Sequence, residues 1–374
     1  MKDYTPYLPG MHLCQTRKRM EKRINENGLG AMKEFLKGRI DMSELEKLSV
    51  SGKNSRKRIF DRANVFILFL VQALTGLTCG HTVRLMQGRC TIKKKNRISS
   101  SSSAYCQARC RLELSFLKNV FKKLADFLSS KSIQTWKGFR VMVVDGTGLD
   151  MPDSPENRRV YPPRGEKEKG TTFPMLNLVA VFDLFSGGVM DWASGNKHCG
   201  EQSLWKKLMN KISIFGSIIL GDDYYCSYGN IAAILKKRGH CIFPSEKSRN
   251  FEKIKKIGKK DWLVRLGKPA ARAKTWTQNQ WKKFPEYIEL RMIEIVIESA
   301  GFKTRKFRLF TTLTDSKLFA AEDIAALQKR RWDAELRFRD IKTAMGMNHL
   351  SCKTPEMIRK EITMFMTAYN LVRA

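Results

Sequence analysis

The sequence predicts an α/β protein whose core of strands and helices carries an antiparallel β insertion and follows a helical domain. Three features lead to this prediction. Apolar residues recur every three or four positions in the first third of the chain, two later apolar runs each end in aspartate, and a further segment alternates apolar with other residues. The first pattern indicates helices, the second buried strands and the third strands with one exposed face.

Residues 1–135 are predicted to form the helical domain. AMKEFLKGRI, RANVFILFLVQAL and LSFLKNVFKKLADFL place apolar side chains at helical spacing. Basic runs such as SGKNSRKRIFDR lie between these helices, and their lysines and arginines cannot be buried. We therefore predict that this is a helical DNA-binding domain, with a helical scaffold that has a charged surface as the alternative.

Residues 136–244 are predicted to form the first part of the α/β core. GFRVMVVDGTG is an apolar run that ends in Asp145, and GSIILGDD is a second run that ends in Asp222 and Asp223. Between them the sequence predicts a hairpin with a Ser-Gly-Gly turn, followed by a helix that Glu201 caps or braces. Such a layer arrangement brings the carboxylates of two central strands to one edge of the sheet.

Residues 245–315 are predicted to form the antiparallel β insertion. EYIELRMIEIVIE alternates with period two, and KFRLFTTLTD follows it after a turn that contains glycine. Residues 316–374 return to a helical pattern and complete the core.

The chain is strongly basic. Among its 374 residues, 70 are Lys or Arg and 36 are Asp or Glu, which gives a formal net charge of +34. A charge of this size repels itself unless a polyanion neutralises it, so DNA is the expected partner and a merely solvated basic surface is the alternative. Within the helical domain, the predicted DNA contacts are Lys93, Lys94, Lys95 and Arg109.

Neither a membrane nor secretion is expected. The longest apolar run, VFILFLV, is too short to span a bilayer, and MKDYTPYLPG lacks the pattern of a secretory signal. We therefore expect a cytoplasmic protein, associated with the nucleoid if the cell is bacterial.

Asp145, Asp222 and Glu335 are the candidate metal ligands. Three convergent carboxylates are hard oxygen ligands that suit Mg²⁺ or Mn²⁺. Two such ions about 4 Å apart can activate an attacking oxygen and stabilise a leaving one in phosphodiester chemistry. For any single acid, a helix cap or a surface position is the alternative. Two apolar strands that each end in Asp, inside a basic chain, favour the metal site.

The chain resembles bacterial DDE transposases of the insertion-sequence-four type from about residue 97 to its end. VVDGTGLDMPDS, FPMLNLVAVFDLFSGG, GEQSLW, GDDYYCSY, RKFRLFTTLTD and RRWDAELRFRDIKTAMGM follow one another in the order seen in that family. The resemblance implies a ribonuclease-H-like catalytic core with a β insertion. It also implies a cut-and-paste transposase that cleaves DNA at transposon ends and joins the freed 3′ hydroxyl to target DNA.

The same resemblance implies that Asp145, Asp222 and Glu335 form an Asp-Asp-Glu triad holding two Mg²⁺ or Mn²⁺ ions. Asp223 takes a place where family members often carry Arg, so Asp222 is the preferred second acid. The implied partners are the terminal repeats of the transposon, target DNA and further copies of the chain assembled on paired ends.

The family surrounds its glutamate with Tyr, Arg and Lys at fixed spacing. Here Arg331 and Lys342 match, and the tyrosine position holds Gln328. Offsets of four and seven residues place Arg331, Glu335 and Lys342 within about 40° on one face of an α-helix, where the cations would grip phosphates beside the cut bond. The alternative is an ion pair between Arg331 and Glu335, worth about 0.3 to 0.5 kcal/mol. Trp332, Leu336 and Ile341 are predicted to pack this helix onto the sheet.

Two other functions remain open at this stage. A truncated or inactive copy would bind DNA without cutting it, and the features that favour it are Gln328 and the ending AYNLVRA, where relatives continue. A Mg²⁺-dependent nuclease without strand transfer is the other.

Overall fold

The computed structural model describes residues 9–27, 29–40, 59–92, 99–131, 134–163, 172–245, 251–297 and 305–374. The helices in these ranges are α1 (Pro9–Asn27), α2 (Leu29–Leu36), α3 (Arg62–Thr75), α4 (Cys79–Ile92), α5 (Ser103–Cys110), α6 (Leu114–Lys131), α7 (Pro155–Val160), α8 (Glu201–Met209), α9 (Tyr228–Lys236), α10 (Gln278–Lys282), α11 (Ala321–Lys329), α12 (Trp332–Arg339) and α13 (Pro355–Arg373). A 3₁₀ turn covers Asp223–Tyr225 and a π turn covers Asp340–Ala344.

The strands form one sheet. They are β1 (Arg140–Asp150), β2 (Met175–Asp183), β3 (Val189–Gly195), β4 (Ser217–Leu220), β5 (His240–Ser245), β6 (Phe251–Gly258), β7 (Asp261–Gly267), β8 (Tyr287–Ile297) and β9 (Arg305–Thr311). Their order is β3-β2-β1-β4-β5-β9-β8-β7-β6.

The first five strands have the order and directions of a ribonuclease-H-like core. Strand β1 pairs antiparallel with β2 and parallel with β4, and β4 pairs parallel with β5. Strands β6 to β9 pair antiparallel and join the core where β9 pairs with β5. The predicted α/β core and its antiparallel insertion are confirmed, and the insertion extends the core sheet itself.

Both faces of the sheet are covered by helices, as the side chains of strand β1 show. Successive side chains of a strand point to opposite faces. Val141 and Val143 pack with the N-terminal helices, α12 and α13, whereas Met142 and Val144 pack with α8 and α9. The run GFRVMVVDGTG is therefore apolar at consecutive positions because both of its faces are buried.

The apolar run VFILFLV forms part of α3, which is buried among the other helices. Asp61 caps the start of α3 by accepting the Asn64 backbone N–H, and Gly76 ends the helix in the left-handed conformation at φ 71°. None of the helices in the described residues is both long enough and apolar enough to cross a bilayer.

Candidate active site

Asp145 and Asp222 lie side by side where β1 and β4 separate. The last residue pair between these parallel strands is Val143 with Leu220, and each aspartate follows its strand's last paired residue by two positions. Side chains two residues apart share a face, so both carboxylates lie on the face of Val143 and Leu220, which is the face that packs against α12. The register therefore places the two acids at the same height on neighbouring strands.

Asp222 follows the end of β4 by two residues, as the apolar run GSIILGDD indicated, whereas the prediction that Asp145 ends its strand is wrong. β1 continues to Asp150, because it keeps pairing with β2 after β4 has stopped, and Asp145 lies opposite Ala180. Asp222 keeps an extended backbone, with φ −84° and ψ −175°, and accepts the Tyr224 N–H at 2.9 Å.

Glu335 and its two predicted cations lie on the same face. Arg331 Nη1 is 2.9 Å from Glu335 Oε1, so the alternative ion pair is present. Lys342 Nζ donates to Thr147 Oγ1 at 3.2 Å and to the Gly148 backbone oxygen at 3.3 Å. These bonds fasten the segment after Glu335 to β1, two residues beyond Asp145.

The long regular helix predicted around Glu335 is interrupted. Between α11 and α12, backbone N–H groups bond to the third preceding residue, which tightens the chain: Arg331 to Gln328 at 3.0 Å and Ala334 to Arg331 at 2.9 Å. After α12 the chain widens into the π turn. The angles of one regular α-helix therefore do not apply, although Arg331 and Lys342 still reach the site. Short π segments occur frequently at functional sites.

Trp332 does not pack onto the sheet. It is 63% exposed, so that prediction was wrong. The predicted Ile341 is buried in the core, together with Ala334 and Phe338.

The environment of Asp145 disfavours its charged form. Burial is the main cause that raises its pKa to about 7, and the negative charges of Asp222 and Glu335 act in the same direction. The backbone N–H of Gly146 and the charge of Arg331 lower the pKa and only partly offset this rise. The three predicted acids are therefore close enough to interact, although two lie on strands and one on a helix more than 100 residues away in the sequence.

In the absence of metal, the free energy of unfolding is expected to fall as the pH rises from about 4 to about 7. The pKa of Asp145 is about 7 in the folded protein, against an ordinary value of 3.8 for the unfolded chain. The stabilisation from protonated Asp145 is therefore complete at a pH below the unfolded pKa, and it is lost as the pH rises through the folded pKa. The slope is at most about 1.4 kcal/mol per pH unit. Urea unfolding in EDTA at several pH values measures it. Asp145→Asn should lack this contribution, and equal slopes for both proteins would contradict the assignment.

Glu201 is a fourth acid near the site, on the opposite face of the sheet. A Cβ added to Gly146 would lie 2.4 Å from the Glu201 carboxyl carbon, so the glycine leaves the space that this carboxyl group occupies. The Tyr225 hydroxyl donates to Glu201 Oε2 at 3.4 Å. Burial holds the pKa of Tyr225 well above its usual range, and the charges of Glu201, Asp145 and Asp222 add to this effect.

Glu201 was predicted only to cap or brace its helix, whereas the N-cap residue of that helix is Gly200. A glycine within a predicted strand often marks the close approach of another group. Gly146, directly after Asp145, is the residue of the sequence that indicated such an approach.

The acids offer a donor set that fits a divalent cation. Carboxylate oxygens are preferred ligands of Mg²⁺ and Mn²⁺, and a cation would offset the repulsion that Asp145 experiences. Across the residues that the structure describes, no three acidic, histidine or cysteine side chains are already close enough to hold a metal. Glu335 is turned toward Arg331, so it would exchange this partner for the metal.

The helical domain does not present Arg109 to solvent. Arg109 is 6% exposed, donates to Gln72 Oε1 at 2.7 Å and lies 4.5 Å from the ring centre of Phe69. A guanidinium held in these contacts cannot reach a phosphate group, so the prediction that it binds DNA is wrong. Lys93, Lys94 and Lys95 lie outside the described residues.

Known proteins resemble this chain in sequence and, more weakly, in structure. It is 29% identical over 284 residues to the transposase InsG for insertion sequence element IS4 of Escherichia coli (strain K12), a match that covers 74% of this chain and 62% of that protein. The structure of a piggyBac transposase synaptic complex with hairpin DNA matches with a TM-score of 0.44 and 8% identity, over 88% of this chain and 69% of that one. A pre-cleavage Mos1 transpososome matches with a TM-score of 0.19 and 9% identity, over 61% and 77%.

The family model for the transposase DDE domain matches residues 136–371, which is more than half of the chain. This match and the InsG relative confirm the resemblance drawn from the sequence motifs. The chain belongs to the family of the transposase DDE domain.

Proposed function

We propose that this chain is a cut-and-paste DNA transposase in which Asp145, Asp222 and Glu335 form a divalent-metal site. The observation that supports it most directly is the register of β1 and β4, which pairs Val143 with Leu220, the residues two positions before Asp145 and Asp222. Glu335 lies on the helix that packs against this face. The proposed site therefore draws one carboxylate from β1, one from the residues after β4 and one from α12.

The protein's own contribution is to hold the acids and to neutralise the phosphates of DNA. When bound, the metal ions would supply Lewis-acid chemistry and activate the attacking oxygen. Arg331 is bound to Glu335 in this structure, and its guanidinium becomes available to a phosphate once Glu335 turns away. Lys342 donates to Thr147 of β1, two residues beyond Asp145, and is the second cation that we propose contacts the DNA backbone.

The proposed partner is DNA, first as the ends of the element and then as the target. With a net charge of +34, the protein gains binding energy by displacing the counterions of a duplex. We further propose that at least two copies act together, because both ends of an element must be cut and each copy carries one set of acids.

The test uses the full chain, Mn²⁺ and a duplex that ends in the element's own terminal repeat. We expect cleavage at the repeat and joining of the product to a second DNA, both abolished by EDTA and absent in Asp145→Ala. Cleavage that persists in Asp145→Ala would exclude the triad. Binding without cleavage by the wild type would indicate an inactive copy, and cleavage without joined product would indicate a nuclease.

A further inference from the structure

Gln328 occupies the position where the resembled family has tyrosine, and its side chain points inward. It is 6% exposed, and its Nε2 donates to the backbone oxygen of Gly221 at 3.0 Å. The opposite orientation of the amide would bring Oε1 against the Gly221 oxygen, and two acceptors repel each other. The donor role of Nε2 is therefore fixed by its partner.

The bond partner of Gln328 lies directly before Asp222. Leu220 is the last residue of β4 to pair with either neighbouring strand, so the Gly221 carbonyl lies beyond the ladder of the sheet. Gln328 supplies a hydrogen bond at the first position where the neighbouring strands no longer do. A buried carbonyl left without such a partner is costly, by about 1 to 3 kcal/mol.

Gly221 is also confined from its other side. A Cβ on Gly221 would lie 3.0 Å from the Phe243 ring and 3.1 Å from Tyr225. Gly221 is therefore held by these aromatic side chains at its Cα and by the Gln328 amide at its carbonyl. The orientation of the peptide that joins Gly221 to Asp222 sets the direction of the Asp222 side chain.

The backbone of Gln328 contacts the other half of the site. Its carbonyl oxygen accepts the Arg331 N–H at 3.0 Å, in the tightened turn that precedes α12. Arg331 in turn holds Glu335. A single residue thus connects the chain beside Asp222 with the start of the helix that carries Glu335.

We propose that Gln328 is a positioning residue that sets the spacing between Asp222 and Glu335. Its side chain fixes the peptide before Asp222, and its carbonyl fixes the turn before Glu335. This inference rests on the proposed function, because the spacing matters only if the two carboxylates hold metal. A purely structural role, in which Gln328 only satisfies a buried carbonyl, predicts lost stability without a specific effect on metal binding.

The test compares Gln328→Met, which keeps the approximate shape but removes the N–H donor, with Gln107→Met, the same change at an exposed position of α5. Mn²⁺ affinity is measured by electron paramagnetic resonance, kcat and KM for DNA by cleavage, and Tm by circular dichroism. In Gln328→Met we expect Mn²⁺ affinity and kcat to fall by about 10 to 100-fold, as when a group that orients a metal ligand is lost. KM for DNA should stay close to the wild type, and Tm should fall by only about 1 to 4 °C because the Gly221 carbonyl loses its partner. Gln107→Met should match the wild type throughout.

Unchanged Mn²⁺ affinity and kcat in Gln328→Met would overturn the proposal and leave the proposed function standing. A fall in Tm with Mn²⁺ affinity and kcat at the wild-type level would assign Gln328 a purely structural role. A fall in Tm well beyond about 4 °C would do the same, because a general loss of stability would then account for weaker metal binding. Failure of the proposed function has a different signature, since the wild type and Gln107→Met would then also bind no Mn²⁺ and cut no DNA.

Discussion

Asp222→Asn is expected to lower the rate of DNA cleavage by about 10³-fold, while Asp223→Asn keeps it within about threefold. Loss of a metal ligand removes several kcal/mol of charge stabilisation in the transition state, and each 1.36 kcal/mol corresponds to a factor of ten. The pair of variants is well matched, because the two acids are adjacent and undergo the same chemical change.

The two adjacent aspartates differ in backbone conformation. Asp222 is extended and continues the alternation of β4, so its side chain takes the face of Leu220 and Asp145. Asp223 is the first residue of the 3₁₀ turn, so its backbone no longer continues the alternation of β4.

Single-turnover cleavage with Mn²⁺ gives the rates, and circular dichroism confirms that both variants are folded. The reverse result, with Asp223→Asn inactive and Asp222→Asn active, would shift the second ligand by one position. If both variants keep the cleavage rate of the wild type, neither aspartate takes part in the reaction.

The strands and the acids were predictable because both depend on local patterns. Consecutive apolar residues predicted β1 and β4 as buried strands, and the alternation of EYIELRMIEIVIE predicted β8. The length of β1 was not predictable in this way. It continues past Asp145 because β2 supplies partners as far as Asp150, and that pairing depends on a strand that begins 25 residues later.

The surroundings of Arg109 and Gln328 were not predictable, because the contacts of both residues are distant in sequence. Arg109 is a surface residue by composition, yet Gln72, 37 residues earlier, and the Phe69 ring hold it inside. Gln328 looked like a departure from a motif, yet its partner is Gly221, 107 residues earlier. Side-chain hydrogen bonds of this kind leave no periodic signal in a sequence.

The second large effect is expected in the β insertion, where Asp261→Ala should destabilise the protein by about 3 to 5 kcal/mol. Asp261 and Arg291 are 4% and 1% exposed, and the guanidinium donates from Nε and Nη2 to the carboxylate at 2.6 to 3.1 Å. Removing the carboxylate leaves a buried positive charge without its counterion. The Arg265 and Glu289 pair of the same strands is the control, because its side chains are 39% and 49% exposed and Glu289→Ala should cost less than about 1 kcal/mol.

Urea unfolding of the two variants measures both costs, and the double variant Asp261→Leu, Arg291→Met tests the cause. If the uncompensated charge is responsible, the double variant should recover most of the stability that Asp261→Ala loses, since apolar residues often replace a buried pair without a penalty. A cost for Asp261→Ala similar to that of Glu289→Ala would show that Arg291 finds another partner.

Arg291 also donates to the backbone oxygen of Phe319, just before α11, so this pair joins the insertion to the segment that leads to Glu335. The Asp261→Ala protein should therefore lose its cleavage activity at a lower temperature than the wild type does, and this temperature should match that of its unfolding.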